Sequence, residues 1–121
     1  MVLIIGARGA GKTEYVRSLG YADADVGTSC GDGRPVLTGL EALVREDPEH
    51  ADALFDALCK KEIVVSQEVG SGVIPLKKEE RIYRDAVGRL CVRLAKEAES
   101  VVRVVAGIPV AIKGVLPCAR S

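Results

Sequence analysis

"VLIIGARGAGKTEYVRSLG", Val2 to Gly20, decides how the rest of the chain is read. Val2–Ile5 is a continuous apolar run rich in β-branched residues, the pattern of a strand buried on both faces of a parallel sheet. Gly6 to Thr13 then matches G-x-x-x-x-G-K-[ST] in full. Its glycines let the backbone curl so that successive N–H groups point inward at phosphate oxygens. A helix beginning at Lys12 adds its positive end, and Lys12 itself adds a point charge for the β- and γ-phosphates. Thr13 offers a hydroxyl to Mg²⁺. Tyr15, Val16 and Leu19 fall at helical spacing, and Gly20 makes a stop. Strand, glycine turn and helix thus come in the order a phosphate-binding loop needs. The candidate nucleotide site is Gly6, Ala7, Arg8, Gly9, Ala10, Gly11, Lys12 and Thr13, with GTP or ATP as the ligand.

Outside this stretch, composition mainly excludes. A chain of 121 residues suits one small domain with a real core. Its 17 Lys and Arg balance 17 Asp and Glu, so no net electrostatic pull toward nucleic acid or an anionic membrane arises. Three Tyr and one Phe are too few for a base-stacking platform. Cys30, Cys59, Cys91 and Cys118 lie far apart with no C-x-x-C pair, which argues for reduced thiols rather than zinc ligands. The opening apolar stretch is too short for a signal peptide. The tract "VVRVVAGIPVAI" is broken by Arg103 and Pro109, so no membrane span is expected and the protein reads as cytoplasmic.

Further along, Ala22, Ala24 and Val26 alternate with Asp23 and Asp25, which permits a short strand, and "GDGRP" is turn chemistry. From Val36 the pattern turns helical, with Leu40, Leu43 and Val44 on one face. Asp47 reads as an N-cap with Pro48 at the first helical position, ahead of a helix burying Leu54, Phe55 and Leu58. Ile63–Val65 is a second compact strand, ending in the glycine-bearing loop "SQEVGSGVIP". A long helix from about Glu79 to Glu99 carries Ile82, Ala86, Leu90 and Leu94 at i, i+4 spacing, with Val87 and Cys91 widening the stripe. Val101–Ala106 is a third strand, and "GIPVAIKG" leads into a loose tail. This alternation predicts a three-layer α/β fold with a mainly parallel sheet, as one nucleotide-binding domain over 1–114 and a tail over 115–121.

A phosphate loop usually works with an acidic residue at the end of a neighbouring strand. Asp23 and Asp25 are candidates by position, and Asp25 is taken as the metal ligand beside Thr13. Glu68 follows the strand Ile63–Val65 at what would be its carboxyl end, where ligands bind in α/β sheets, and is taken with Lys12 as catalytic. His50, the single histidine, reads as exposed in a first helical turn. Arg81, Asp85 and Arg89 are spaced for an i, i+4 ion-pair ladder on the long helix, with Arg84 and Arg93 beside it. Gly88 in mid-helix costs roughly 1 kcal/mol relative to Ala, which a close approach of backbone or ligand would explain.

The second half of the chain resembles a known family. "VVSQEVGSGVIP", "YRDAVGRL" and "VVRVVAGIPVAIKG" are similar to the C-terminal half of the adenosylcobinamide kinase / adenosylcobinamide-phosphate guanylyltransferases of cobalamin biosynthesis. Glu68, Val69, Gly70, Gly72, Pro75, Arg84, Asp85, Gly88, Arg89, Gly107 and Lys113 match that family's pattern in order and spacing, and Arg8 to Thr13 echo its opening loop. The likeness covers residues 1–20 and about 62–114. It implies a RecA-like phosphate-loop fold, Mg²⁺ with GTP or ATP, phosphorylation of the aminopropanol hydroxyl of adenosylcobinamide, and a homo-oligomer, a trimer in the best-known case. The chain departs from the pattern between its first helix and the second strand. The family's histidine-bearing segment for guanylyl transfer has no counterpart there, His50 lies outside any such motif, and Gln67 and Cys91 replace asparagines. A shortened member is therefore expected, with phosphoryl transfer kept and guanylyl transfer lost. The alternative reading is a catalytically inactive nucleotide-binding relic or regulatory subunit.

Overall fold

The structure is a computed structural model and describes residues 1–68 and 77–119. Ten elements follow in order: β1 (Val2–Gly6), α1 (Lys12–Ser18), β2 (Val26–Gly27), β3 (Val36–Leu37), α2 (Leu40–Glu46), α3 (Phe55–Cys59), β4 (Ile63–Gln67), α4 (Lys78–Glu97), β5 (Ser100–Val105) and β6 (Ile108–Lys113). Short 3-10 segments cover Asp23–Asp25 and Pro48–Leu54. The six strands form one sheet in the order β2-β3-β4-β1-β5-β6, parallel except for β6. The expected α/β layering is present.

Topology follows from one reversal of direction. The chain leaves β1 for the far strand β2 with α1 on the way, then steps back through β3 and β4 and over β1 to β5. Parallel crossovers are right-handed, so reversing the direction puts the later helices on the opposite face. Tyr15 and Val16 of α1, with Leu19 just past its end, accordingly pack with Ile4, Val36, Val65 and Val102 in one apolar layer. Leu40, Leu58, Val87, Leu90 and Leu94 pack with Leu3, Leu37 and Val64 in the other. The i, i+4 stripe of α4 is buried at Ala86, Leu90 and Leu94, joined by Tyr83 and Val87.

Several expectations are corrected. Ala22–Asp25 is not a strand: Asp23–Asp25 is a 3-10 turn, because the Asp25 carboxylate accepts the Ala22 N–H at 2.9 Å and closes the backbone locally. Val36–Leu37 is a strand rather than the start of a helix, since it lies between β2 and β4 with both residues buried. Pro48 does open a helical segment, but a 3-10 one, and the Asp47 side chain makes no cap bond. "GIPVAIKG" is mostly β6, an antiparallel edge strand. The ladder Arg81–Asp85–Arg89 does not close among the described residues. Around this helix, Arg45 stacks on Tyr83 at 3.8 Å and is bidentate to Glu80, and Arg93 stacks on Phe55 at 4.0 Å. Among the described residues outside the helix's own backbone, no atom lies within 4 Å of where a Gly88 side chain would begin, so no backbone approach among them explains that glycine.

Only two residues long, β2 is held by tertiary bonds. Arg34 donates to the Val26 carbonyl at 2.8 Å, and the buried Lys61 ammonium donates to Asp32 Oδ1 at 2.8 Å and the Arg34 carbonyl at 2.7 Å. That bonding holds the Asp32 carboxyl below its ordinary range. A depressed carboxyl pKa adds stability above the unfolded value and loses it as pH falls through the folded value. Lys61→Ala is expected to destabilise by roughly 2 kcal/mol through the lost charge-assisted bonds. Asp32→Asn should flatten the acid side of the stability–pH curve. Urea melts across the carboxylate range check both, and an unaltered acid limb in Asp32→Asn would refute the assignment.

Candidate functional site

The central strand β1 has β4 on one side and β5 on the other, and chain direction reverses there. Beyond the carboxyl ends of strands at such a switch point is where open α/β sheets bind ligands. The turn that leaves β1 there is Gly6–Thr13. Gly9 and Gly11 have φ of 76° and 98°, which only glycine adopts without strain. A side-chain carbon on Gly6 would come within 2.8 Å of the Val104 carbonyl of β5. Within the loop, Ala10 N–H bonds the Ala7 carbonyl at 3.1 Å, while the N–H groups of Gly9, Gly11 and Lys12 have no acceptor among the described residues. Open donors on a glycine turn of this kind suit an anion.

Lys12 lies across the mouth of the loop, its ammonium donating to the carbonyls of Gly6 at 2.9 Å and Ala7 at 2.7 Å. Partial burial lowers its pKa, opposed by the charges of Glu41 and Glu68. A lysine so placed is a partly desolvated point charge, able to attract phosphate more strongly than one in open water. Thr13, one residue on, is exposed and borders a hollow of about 220 Å³ with Asp23, Val36, Thr38 and Val65.

Glu68 is brought to this site. Its N–H donates to the Gly6 carbonyl at 2.9 Å, and Arg103 of β5 grips its carboxylate with Nε at 2.7 Å and Nη2 at 3.2 Å. The bond raises the Arg103 guanidinium pKa. Asp25 is not brought there: its carboxylate binds Ala22, and it borders a separate, larger hollow with Cys30, Arg34 and Glu62, by the amino ends of β3 and β4. Of the aspartate pair it is Asp23 that shares Thr13's hollow, and it is bonded to Arg17 at 3.1 Å. His50 is exposed and held by Asp47, with Nδ1 2.9 Å from Oδ2, which raises its pKa. Val69, Gly70, Gly72 and Pro75 lie outside the described residues.

Two contributors escape a reading of local pattern. One is Glu41, in the first turn of α2, whose Oε1 accepts the Gln67 N–H at 3.3 Å and whose buried Oε2 has no hydrogen-bond partner among the described residues. A carboxylate one residue into a helix reads as an ordinary first-turn acid. The other is the β5–β6 turn. Ala106 and Gly107 both have positive φ, and Gly107 N–H donates to the Ala10 carbonyl at 2.7 Å, bracing the glycine loop from outside. Cys91 of α4 meets Ser66 at the end of β4, and burial pushes its thiol pKa up. No group of three or more His, Cys, Asp or Glu among the described residues is clustered to hold a metal, so a cation here would also need oxygens from a ligand. No helix among them is long and apolar enough to cross a membrane.

Comparison with known proteins bears on this arrangement. The family model described as cobinamide kinase / cobinamide phosphate guanyltransferase matches residues 33–112, which include Glu41, Glu68 and Arg103 and leave out the glycine loop. The bifunctional adenosylcobalamin biosynthesis protein CobP of Pseudomonas aeruginosa is 40% identical over 85 residues, 64% of this chain and 48% of the relative. The CobU proteins of the same description are 45% identical over 53 residues in Salmonella typhimurium and 43% over 74 residues in Escherichia coli. Those stretches are 44% and 61% of this chain, and 29% and 41% of the relatives. The chain therefore spans about half, or less, of the length of the curated relatives it matches. With two thirds of its residues under one family model, the chain belongs to the cobinamide kinase / cobinamide phosphate guanyltransferase family.

Proposed function

We propose that the chain binds a Mg-nucleotide in the Gly6–Thr13 loop and transfers the γ-phosphoryl group of GTP or ATP to the hydroxyl of adenosylcobinamide. One observation carries the reading: a partly desolvated lysine spans a loop of open N–H donors at the switch point of the sheet. Family membership supports the chemistry, because the family is described as cobinamide kinase / cobinamide phosphate guanyltransferase. The reading keeps the phosphate-loop, RecA-like fold implied by the resemblance, with residues 1–114 as the nucleotide-binding domain.

In this mechanism the acceptor oxygen forms a bond to the γ-phosphorus as the bond to the β-phosphate bridging oxygen breaks, leaving the nucleoside diphosphate, while the hydroxyl proton is released to water. The transition state is loose, so positioning and charge matter more than covalent help. Lys12 and the loop N–H groups stabilise the transferring group. Glu68, immobilised by Arg103, orients the acceptor from the carboxyl end of β4. The hollow beside Thr13, walled by Val36 and Val65, admits a short aliphatic alcohol arm. Donor chemistry fits Mg²⁺: the residue Thr13 is exposed at the loop, and the buried Oε2 of Glu41 lacks a hydrogen-bond partner among the described residues. When bound, Mg²⁺ neutralises charge on the β- and γ-phosphates.

The reading gives His50 no part and keeps the absence of guanylyl transfer as an expectation from the resemblance, since that residue lies outside any histidine motif of the family pattern. A second reading, a nucleotide-binding relic or regulatory subunit, is favoured by the separation of Asp25 from Thr13, which border different hollows. Homo-oligomerisation is proposed from the resemblance, with the exposed Ile108, Val110 and Ile112 of β6 as a surface to be covered. The deciding experiment supplies γ-labelled GTP or ATP, Mg²⁺ and adenosylcobinamide. Label in cobinamide phosphate is the expected result. Folded protein that binds nucleotide yet labels no cobinamide would leave the relic reading.

A further inference from the structure

The two carboxylates that act on Lys12, Glu41 and Glu68, are in different states. Glu68 is committed to Arg103 through both oxygens. Glu41 uses Oε1 for a long bond from Gln67 N–H and leaves Oε2 buried without a donor among the described residues. The nearby ammonium of Lys12 is turned to the Gly6 and Ala7 carbonyls instead. A buried carboxylate oxygen left unsatisfied is costly.

A triphosphate drawn onto Lys12 would raise that cost, because it sets several negative charges beside an uncompensated carboxylate. A cation between the two removes both penalties. Mg²⁺ is the hard, oxygen-seeking ion that binds through one or two carboxylates together with substrate phosphates. Asp25 does not meet this need: it is engaged at Ala22 and borders the other hollow. We infer that Glu41, rather than Asp25, is the carboxylate through which this chain holds the divalent cation of its nucleotide, in company with the Thr13 hydroxyl. The inference rests on the nucleotide-binding function proposed above.

Its test is binding of fluorescent GTP and ATP analogues to the full chain, in Mg²⁺ and in EDTA. Wild type should bind roughly tenfold or more tighter in Mg²⁺, an ordinary coupling between two ligands. Glu41→Gln should bring the ratio close to one, partly by binding more tightly in EDTA, where the repulsion is gone. Asp25→Asn should keep the wild-type ratio. A wild-type ratio in Glu41→Gln, or a collapse confined to Asp25→Asn, overturns the assignment while nucleotide binding stands. Failure of wild type to bind either analogue in either buffer overturns the nucleotide reading and this inference with it. Because Glu41→Gln can disturb α2, a second measurement uses wild type: Mn²⁺ with nucleotide should broaden the Gln67 amide NMR signal and spare that of Ala22. The reverse pattern overturns the proposal.

Discussion

Lys12→Ala is expected to lower phosphoryl transfer by roughly a hundred- to a thousand-fold while leaving the far-UV spectrum and cooperative melting in place. The ammonium is the cation the structure sets across the glycine loop, and partial burial makes each contact with developing charge stronger than in water. Its partners are two backbone carbonyls at the rim of the loop, which water can reach once the side chain is gone. The stability change should therefore stay within about 1 kcal/mol. Because burial depresses the Lys12 pKa, wild-type turnover should lose its alkaline limb earlier than an ordinary lysine would dictate. Lys12→Arg should not restore the rate, since a planar fork cannot replace a compact charge at this spot. Transfer rates for the three proteins decide the matter, and an alanine variant with wild-type turnover would remove Lys12 from the chemistry.

The largest effect on folding is expected from Leu90→Ala. Leu90 is fully buried on α4, in the layer shared with Leu37, Leu40, Leu58 and Val64. Removing three carbons loses their transfer free energy and leaves a cavity that α2 and the sheet can only partly close. The cost should be about 3 kcal/mol, within the range for buried leucines. In a domain of this size that lowers Tm by roughly 10–20 °C. Denaturant melts at constant m would show it as a lower midpoint. A midpoint near wild type would mean that α4 is not packed as described. Arg81→Ala, on the same helix but exposed, should change the midpoint little and serves as the control.

How much of this could be read from pattern depends on how local each cause is. The β1–loop–α1 unit is legible because a β-branched run, glycines at positive-φ positions and a helical stripe act within twenty residues. The buried face of α4 is legible for the same reason. Val36–Leu37 misleads because those residues continue the period of Leu40, Leu43 and Val44, and only pairing with β2 and β4 makes them a strand. Strand β6 escapes because Ala106 is an unexpected residue in a turn needing two positive φ values, and Pro109 argues against a strand interior.

For the candidate site, residue types and spacing proposed Gly6–Thr13, Lys12 and Glu68, and the fold brings both Lys12 and Glu68 onto the Gly6 carbonyl. Residue types could not choose among acidic partners. Asp25 looked suitable on position along the chain, yet a three-residue turn uses its carboxylate locally. Glu41 and Arg103 come from an unremarkable helix start and from a charge inside an apolar run. Only the sheet order, with β4 and β5 flanking β1, draws Glu68 to Arg103 and sets Glu41 against the end of β4. Short-range pattern is written by backbone preference and burial period, whereas which charges meet is decided by long-range strand pairing.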